Sequence, residues 1–218
     1  MRTRLLLALD ILSLSRAREL CGLLAEVVDI IEVGTPLIVC HGLPVVSKVR
    51  EWTGGGRPIF ADTKIVDAGR WETLEAVRAG ADMVSVLAGA SEATLSEVKQ
   101  SVVDSGAEMV VDTIDLSPRD ESKIEFIDHL LPDYLCLHLS TDVVKRGGTI
   151  LDHRKVLPLT ASPPERIMVA GGINLHNLRE VLKAFRPAVV VVGSGLSAQE
   201  NPLAVAREMR RYIDESGV

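Results

Sequence analysis

The clearest indication of the fold is a short apolar run that ends in charged residues, Pro58-Ile59-Phe60-Ala61-Asp62-Thr63-Lys64-Ile65-Val66-Asp67-Ala68-Gly69. In an extended strand, residues two apart point to the same side. Asp62 and Lys64 are therefore predicted to share a face at the end of a strand, with Asp67 in the loop that follows. A lysine between two carboxylates suits a hydrophobic core poorly. It suits a site that moves protons, or one that holds a metal and an anionic substrate.

Similar apolar runs recur along the whole chain and alternate with longer amphipathic segments. Strands are predicted at residues 4–10, 29–35, 58–64, 83–88, 108–114, 134–139, 166–171 and 188–193. Helices are predicted at residues 15–27, 40–52, 70–79, 91–104, 119–130, 174–184 and 199–215, and the weakest helical pattern lies between 142 and 157. Such alternation predicts an α/β fold with a parallel sheet, and about 27 residues per strand favours a (β/α)₈ TIM barrel. One domain over residues 1–218 is expected, and a doubly wound open sheet is the alternative fold.

The composition excludes several classes of protein. Hydrophobic residues make up 47% of the chain and aromatic residues only 3%, so the core is expected to consist of Val, Leu, Ile and Ala. The net charge of −6 argues against nucleic-acid binding through a basic face. Three widely spaced cysteines (Cys21, Cys40 and Cys136) form neither a disulfide framework nor a zinc signature, which favours reduced thiols in the cytoplasm. No apolar stretch approaches the length of a membrane span.

Polar residues collect at the predicted strand ends, where a barrel of this type carries its chemistry. The residues in question are Asp10, Glu32, Asp62, Lys64, Asp112 and His138. With a period of two, Asp10 continues the face of Leu6 and Ala8, and His138 continues the face of Cys136. These side chains are expected to converge in the barrel mouth. Because burial of unpaired charge is costly, they are expected to pair with one another, with a metal or with a ligand.

The last two strands end in glycine. They read Val169-Ala170-Gly171-Gly172-Ile173 and Val191-Val192-Gly193-Ser194-Gly195. Glycine lets the backbone approach a ligand closely, and the loops after strands seven and eight of a TIM barrel commonly hold a phosphate. Gly171, Gly172, Gly193 and Ser194 are therefore candidates for phosphate binding. Neither turn matches a nucleotide-binding motif, so no nucleotide cofactor is expected.

The segment Asp62-x-Lys64-x-x-Asp67-Ala68-Gly69, followed by Glu72, Ala79-Gly80-Ala81-Asp82 and Val84-Ser85-Val86, resembles the orotidine 5′-monophosphate decarboxylase suprafamily. The resemblance is closest to the branch of 3-hexulose-6-phosphate synthase and 3-keto-L-gulonate-6-phosphate decarboxylase. Asp10, Glu32, and His138 with Asp142 four residues later also match that branch, as do the two glycine turns and Asn201-Pro202. The resemblance runs nearly from end to end.

The resemblance implies a homodimeric barrel with its active sites at the interface, where Asp67 serves the partner subunit. It implies a Mg²⁺ ion near Glu32 and Asp62, with Mn²⁺ as the alternative, that binds the oxygens of an enediolate. Lys64 is expected to add positive charge or donate a proton, and His138 to shuttle a proton. Asp62 and Asp10 complete the predicted catalytic set. Asp10 and Asp112 are also expected to contact the sugar-phosphate substrate.

Three residues depart from the pattern of this branch. Thr141 stands where the decarboxylase usually has Arg and the synthase an apolar residue, and Val144 stands where both tend to have Gln. Ser194 stands where the decarboxylase tends to have Arg, and Asp112 looks more like the synthase. The leading expectation is therefore a lyase that joins formaldehyde to ribulose 5-phosphate or reverses that aldol. Decarboxylation of a 3-keto sugar-acid phosphate is the alternative, followed by orotidine monophosphate decarboxylation and a non-catalytic sugar-phosphate sensor.

Overall fold

Eight parallel strands close into a barrel in the computed structural model, which describes residues 2–114, 116–117 and 119–217. The strands are β1 (Arg4–Ala8), β2 (Ile30–Val33), β3 (Ile59–Ile65), β4 (Met83–Leu87), β5 (Glu108–Asp112), β6 (Tyr134–His138), β7 (Ile167–Ala170) and β8 (Val189–Val192). Each strand pairs in parallel with the next one along the chain, and β8 pairs with β1. The predicted TIM barrel is thus confirmed, and the doubly wound alternative is wrong.

Helices follow the strands and form the outer layer. They are α1 (Leu14–Leu24), α2 (Thr35–His41), α3 (Pro44–Trp52), α4 (Gly69–Arg78), α5 (Glu92–Ser105), α6 (Glu121–Leu130), α7 (Thr141–Lys145), α8 (Leu178–Phe185), α9 (Ser194–Ser197) and α10 (Pro202–Ser216). Two 3₁₀ helices, Ile150–Leu159 and Pro164–Arg166, precede β7. No helix in the described part of the chain is long and apolar enough to cross a membrane.

The predicted helix at 40–52 is wrong in one respect, because the chain there forms two helices. Gly42, with a φ of 71°, ends α2, and Pro44 lies in the first turn of α3. Proline is favoured at this position because its missing amide would be unpaired there anyway. The weak pattern between 142 and 157 also divides, into the short helix α7 and a 3₁₀ helix.

Two hydrophobic layers follow from the alternation of side chains along the strands. One layer fills the barrel and includes Leu6, Ala8 and Cys136. The other layer lies between the strands and the helices and includes Leu5 and Leu7. These are the two faces predicted from the period of two, and the inner face leads directly to the polar residues at the strand ends.

Candidate active site

A cavity of about 390 Å³ opens at the carboxyl ends of the strands. Ten of the eleven predicted site residues line it: Asp10, Glu32, Asp62, Lys64, Asp112, His138, Gly171, Gly172, Gly193 and Ser194. Thr141 and Asp142 belong to the same wall, so two of the three departures noted in the sequence, Thr141 and Ser194, border the cavity. A larger groove runs along α6, but it contains none of the strand-end residues.

Lys64 lies between two carboxylates, that of Asp62 on its own strand β3 and that of Asp112 on β5. Its Nζ lies 2.9 Å from Asp62 Oδ2 and 2.8 Å from Asp112 Oδ2. Burial by itself would lower the pKa of Lys64, but the charges of Asp62 and Asp112 outweigh it and raise the pKa above its usual value. Lys64 is therefore a fixed ammonium ion at neutral pH, and it can stabilise a developing oxyanion.

Asp112 also holds His138. Its Oδ2 lies 2.9 Å from His138 Nδ1, and its Oδ1 accepts a hydrogen bond of 2.9 Å from the amide of Ile114. Burial would raise the pKa of Asp112, but His138 and Lys64 lower it to about 2. An ionised carboxylate at Nδ1 favours the imidazole tautomer with its proton on that nitrogen, which leaves Nε2 to accept a proton.

A bulge in β3 produces the local geometry of Asp62 and Lys64. Ala61 pairs with Val84 and Ile65 pairs with Val86, so three residues of β3 face the single residue Ser85 of β4. Lys64 has a φ of 50°, which is uncommon for a residue other than glycine. Asp62 and Lys64 do meet on one side, as predicted, but they do so through this bulge and not through regular alternation.

Two hydroxyl side chains at the site were given no role from the sequence, although Ser85 belongs to the Val84-Ser85-Val86 motif of the resemblance. Ser85 Oγ donates to Asp62 Oδ1 at 2.8 Å, and Thr35 Oγ1 lies 2.7 Å from Asp62 Oδ2. Thr35 begins α2 directly after Gly34, and Ser85 is the polar residue in the otherwise apolar strand β4. The only indication of Ser85 in the sequence pattern is a single hydroxyl within an otherwise apolar strand.

Glu32 is nearly fully buried, with a relative exposure of 6%. Its Oε2 has no hydrogen-bond partner among the described residues. Burial, and then the negative charges of Asp62 and Asp10, raise its pKa well above 4.5. A buried carboxylate oxygen without a donor is costly, and a bound cation would remove that cost.

Asp10 lines the open cavity, so solvent reaches its side chain although neighbouring residues pack close to it. Partial burial and the charge of Asp62 raise its pKa, while Lys64 and His138 act in the opposite direction. Gly34 makes room for this side chain, because a Cβ there would lie 2.2 Å from Asp10 Oδ1.

The glycine turns lie beside Asp10 and the loop after β6. Gly171 has a φ of 108°, and a Cβ on it would lie 2.3 Å from the carbonyl oxygen of Leu139. A Cβ on Gly193 would lie 3.1 Å from Asp10 Oδ2. Gly171 therefore requires glycine, because of its φ and its close approach to a neighbouring backbone, whereas a Cβ on Gly193 would be tight only against the Asp10 side chain. Phosphate binding by both turns stays a prediction.

Asp67 is the one predicted site residue that does not line the cavity. It is exposed, and its Oδ1 accepts a hydrogen bond of 2.8 Å from the amide of Ala68. Its neighbours Val66 and Trp71 are exposed apolar residues, with relative exposures of 58% and 67%. The sequence indicates a loop or capping role for Asp115, which lies outside the described residues.

Comparisons with known proteins indicate one family along nearly the full chain. A family model described as "Orotidine 5'-phosphate decarboxylase / HUMPS family" matches residues 3–209. The sequence is 31% identical over 209 residues to 3-hexulose-6-phosphate synthase 2 of Staphylococcus saprophyticus, covering 95% of this chain and 96% of that protein.

Solved structures of two kinds of enzyme named in the resemblance are similar to the chain along nearly its full length. A structure of 3-hexulose-6-phosphate synthase from Salmonella typhimurium is similar with a TM-score of 0.91 and 29% identity, over 98% of this chain and 100% of that chain. A 3-keto-L-gulonate-6-phosphate decarboxylase from Vibrio cholerae is similar with a TM-score of 0.80 and 25% identity, over 99% of each chain.

Proposed function

Because the chain belongs to the orotidine 5′-phosphate decarboxylase / HUMPS family of enzymes and is a carbon–carbon lyase, we propose that it is a 3-hexulose-6-phosphate synthase. It would join formaldehyde to ribulose 5-phosphate, or cleave the product of that addition. The observation that carries the proposal is the contact of Lys64 and His138 with the same Asp112 oxygen inside the cavity. One carboxylate thereby fixes both an ammonium ion and a proton acceptor beside the space for substrate.

The chemistry requires a proton to leave a carbon next to the ketone. His138 Nε2 would take that proton, which leaves an enediolate of the sugar phosphate. The carbanionic carbon then adds to the carbon of formaldehyde, and the new alkoxide takes the proton back from His138, which restores the neutral imidazole. Lys64 would stabilise negative charge on the oxygens during both steps. The amides at Gly171 and Gly193 would anchor the remote phosphate, whose binding positions the reacting end.

The residues present fit the predicted divalent cation. Glu32 offers a buried carboxylate oxygen that has no partner among the residues the structure describes, and Asp62 faces the same cavity. No group of three or more His, Cys, Asp or Glu side chains in the described ranges is arranged to hold a metal. Mg²⁺ is often bound by only one or two carboxylates together with water and substrate, so Glu32 and Asp62 would be the residues that hold it. When bound, Mg²⁺, or Mn²⁺ in its place, would neutralise the two adjacent oxygens of the enediolate.

The predicted homodimer is supported by an exposed apolar surface around Asp67. Val66 directly precedes Asp67 and Trp71 lies four residues after it, and both side chains are largely exposed. Large exposed apolar side chains that cluster often mark an interface. Association through this surface would cover them, and it would let Asp67 reach the partner's cavity. The cytoplasmic location of the protein stays a prediction.

The alternative activity is decarboxylation of 3-keto-L-gulonate 6-phosphate, which the similarity to the Vibrio cholerae enzyme favours. Thr141 lies on the cavity wall, where the sequence of the decarboxylase usually has Arg. A neutral Thr141 offers no positive charge to a substrate carboxylate, which favours the synthase.

The deciding experiment measures the loss of formaldehyde with ribulose 5-phosphate and Mg²⁺, with Lys64→Ala as the control. We expect wild type to consume formaldehyde and the folded Lys64→Ala variant to lose turnover. Normal turnover in Lys64→Ala would contradict the assignment. Release of CO₂ from 3-keto-L-gulonate 6-phosphate, without formaldehyde consumption, would establish the alternative. Tight binding of both sugar phosphates without turnover would indicate a sensor.

A further inference from the structure

Ser85 contacts every residue of the bulge in β3. Its Oγ accepts a hydrogen bond of 2.8 Å from the amide of Lys64 and donates one of 2.8 Å to Asp62 Oδ1. Its carbonyl oxygen accepts a hydrogen bond of 2.9 Å from Thr63 Oγ1. Three consecutive residues of one strand therefore use a single residue of the next strand as their partner.

These bonds replace the regular ladder between β3 and β4. The ladder is interrupted between Ala61 and Ile65, where the register shifts. The amide of Lys64 instead finds its acceptor in the Ser85 side chain, and Lys64 adopts a left-handed backbone conformation with a φ of 50°. Such a conformation persists only when its surroundings hold it in place.

Ser85 itself does not reach the substrate space. It is fully buried, with a relative exposure of 0%, and it is not among the residues that line the cavity. Any effect of Ser85 on the reaction must therefore pass through the residues that it holds.

We propose that Ser85 is the positioning residue that fixes the Lys64 ammonium and the Asp62 carboxylate in their reactive geometry. The Ser85 hydroxyl connects the backbone of Lys64 to the side chain of Asp62, so the two groups move as one unit. The proposal rests on the proposed function for its kinetic consequence, whereas its geometric claim concerns the bulge alone.

The kinetic test compares Ser85→Ala with wild type in the formaldehyde assay. We expect kcat to fall on the order of 10- to 100-fold, because small misplacements of reacting groups are costly, while KM for ribulose 5-phosphate changes by less than about twofold. Ser85→Thr, which keeps the hydroxyl, should retain more activity than Ser85→Ala. If Ser85→Ala fails to fold, Ser85→Cys replaces it, since a thiol is a weaker donor and should give an intermediate loss.

The matched control is Ser101→Ala on α5. Ser101 is also buried, with 1% exposure, but its hydroxyl donates only to the carbonyl oxygen of Glu97 in its own helix. Its removal should leave kcat unchanged. A purely structural role of Ser85 would lower the melting temperature and leave kcat of the folded enzyme intact, and that result would overturn the proposal.

A second measurement does not depend on turnover. Amide hydrogen exchange at Lys64, followed by NMR, should become at least tenfold faster in Ser85→Ala, with Val86 in the next regular pair as the reference. Unchanged exchange at Lys64 would overturn the proposal even if wild type acts on no candidate substrate. Faster exchange at Lys64 in a protein without turnover would contradict the proposed function and leave the positioning role of Ser85 standing.

Discussion

The Asp112 carboxylate accepts a hydrogen bond of 2.9 Å from His138 Nδ1 through the same oxygen that lies 2.8 Å from Lys64 Nζ. One buried negative charge thus sets the tautomer of the imidazole and balances the ammonium. Replacement of this carboxylate should therefore disturb both groups at once.

Asp112→Asn should lower kcat by up to about 10⁴-fold, the loss known for a carboxylate that orients a catalytic histidine and is replaced by an amide. The amide can donate to His138 Nδ1 and so favours the wrong tautomer. Steady-state kinetics with circular dichroism as a check on folding would measure this. A loss below threefold would show that Asp112 does not orient His138 during turnover.

The same variant should be less stable at neutral pH by about 2 kcal/mol, because the pKa of Asp112 is lowered from 3.8 to about 2 in the folded protein. A lowered folded-state pKa stabilises the protein above the unfolded-state value, and this stabilisation is lost as the pH falls toward about 2. Urea unfolding of wild type and Asp112→Asn at pH 7 and pH 3 should give a difference that shrinks in acid. A difference in unfolding free energy that is the same at pH 7 and pH 3 would contradict a lowered pKa of Asp112 in the folded protein.

The sequence predicted the fold well because the fold depends on local periodicity. Each of the eight strands, for example β4, lies within two residues of its expected bounds. The bulge in β3 could not be predicted, since the rule of two residues per repeat assumes a regular strand. The roles of Thr35 and Ser85 also escaped prediction, because they arise only when β2, β3 and β4 lie side by side.

The ionised Glu32 side chain should make the metal-free wild-type protein less stable than a Glu32→Gln variant, in which this side chain is neutral. Its raised folded-state pKa means that the unfolded chain releases the proton more readily, so stability falls as the pH rises above 4.5. Without Mg²⁺ at pH 8, Glu32→Gln should therefore melt at a higher temperature than wild type. Addition of Mg²⁺ should raise the melting temperature of wild type and leave that of Glu32→Gln unchanged.

Glu108→Gln is the matched control for this experiment. Glu108 at the start of β5 also has a raised pKa, caused mainly by burial, but it does not line the cavity. The Glu108→Gln variant should respond to Mg²⁺ as wild type does. An equal response of wild type and Glu32→Gln would remove Glu32 from the proposed metal site.

Subunit mixing tests the role of Asp67 across the proposed dimer. Lys64→Ala and Asp67→Ala should each be inactive. Equal mixing after partial unfolding and refolding should restore about a quarter of the wild-type activity, because half of the dimers are mixed and each mixed dimer has one intact site. A mixture of Lys64→Ala and His138→Ala is the control and should stay inactive, since both residues line the same cavity. No restoration in the first mixture would place Asp67 outside the partner's site.

The bulge between Ala61 and Ile65 means that a change that stabilises the fold can remove the active-site geometry. Deletion of two of its three residues would let β3 and β4 pair without interruption and would remove the left-handed residue, so such a chain could fold more stably than the natural one. It would also lose the Asp–Lys pair. A laboratory selection for heat resistance alone would therefore be expected to enrich variants in which residues of this bulge are deleted. A selection that also requires turnover would be expected to retain the bulge.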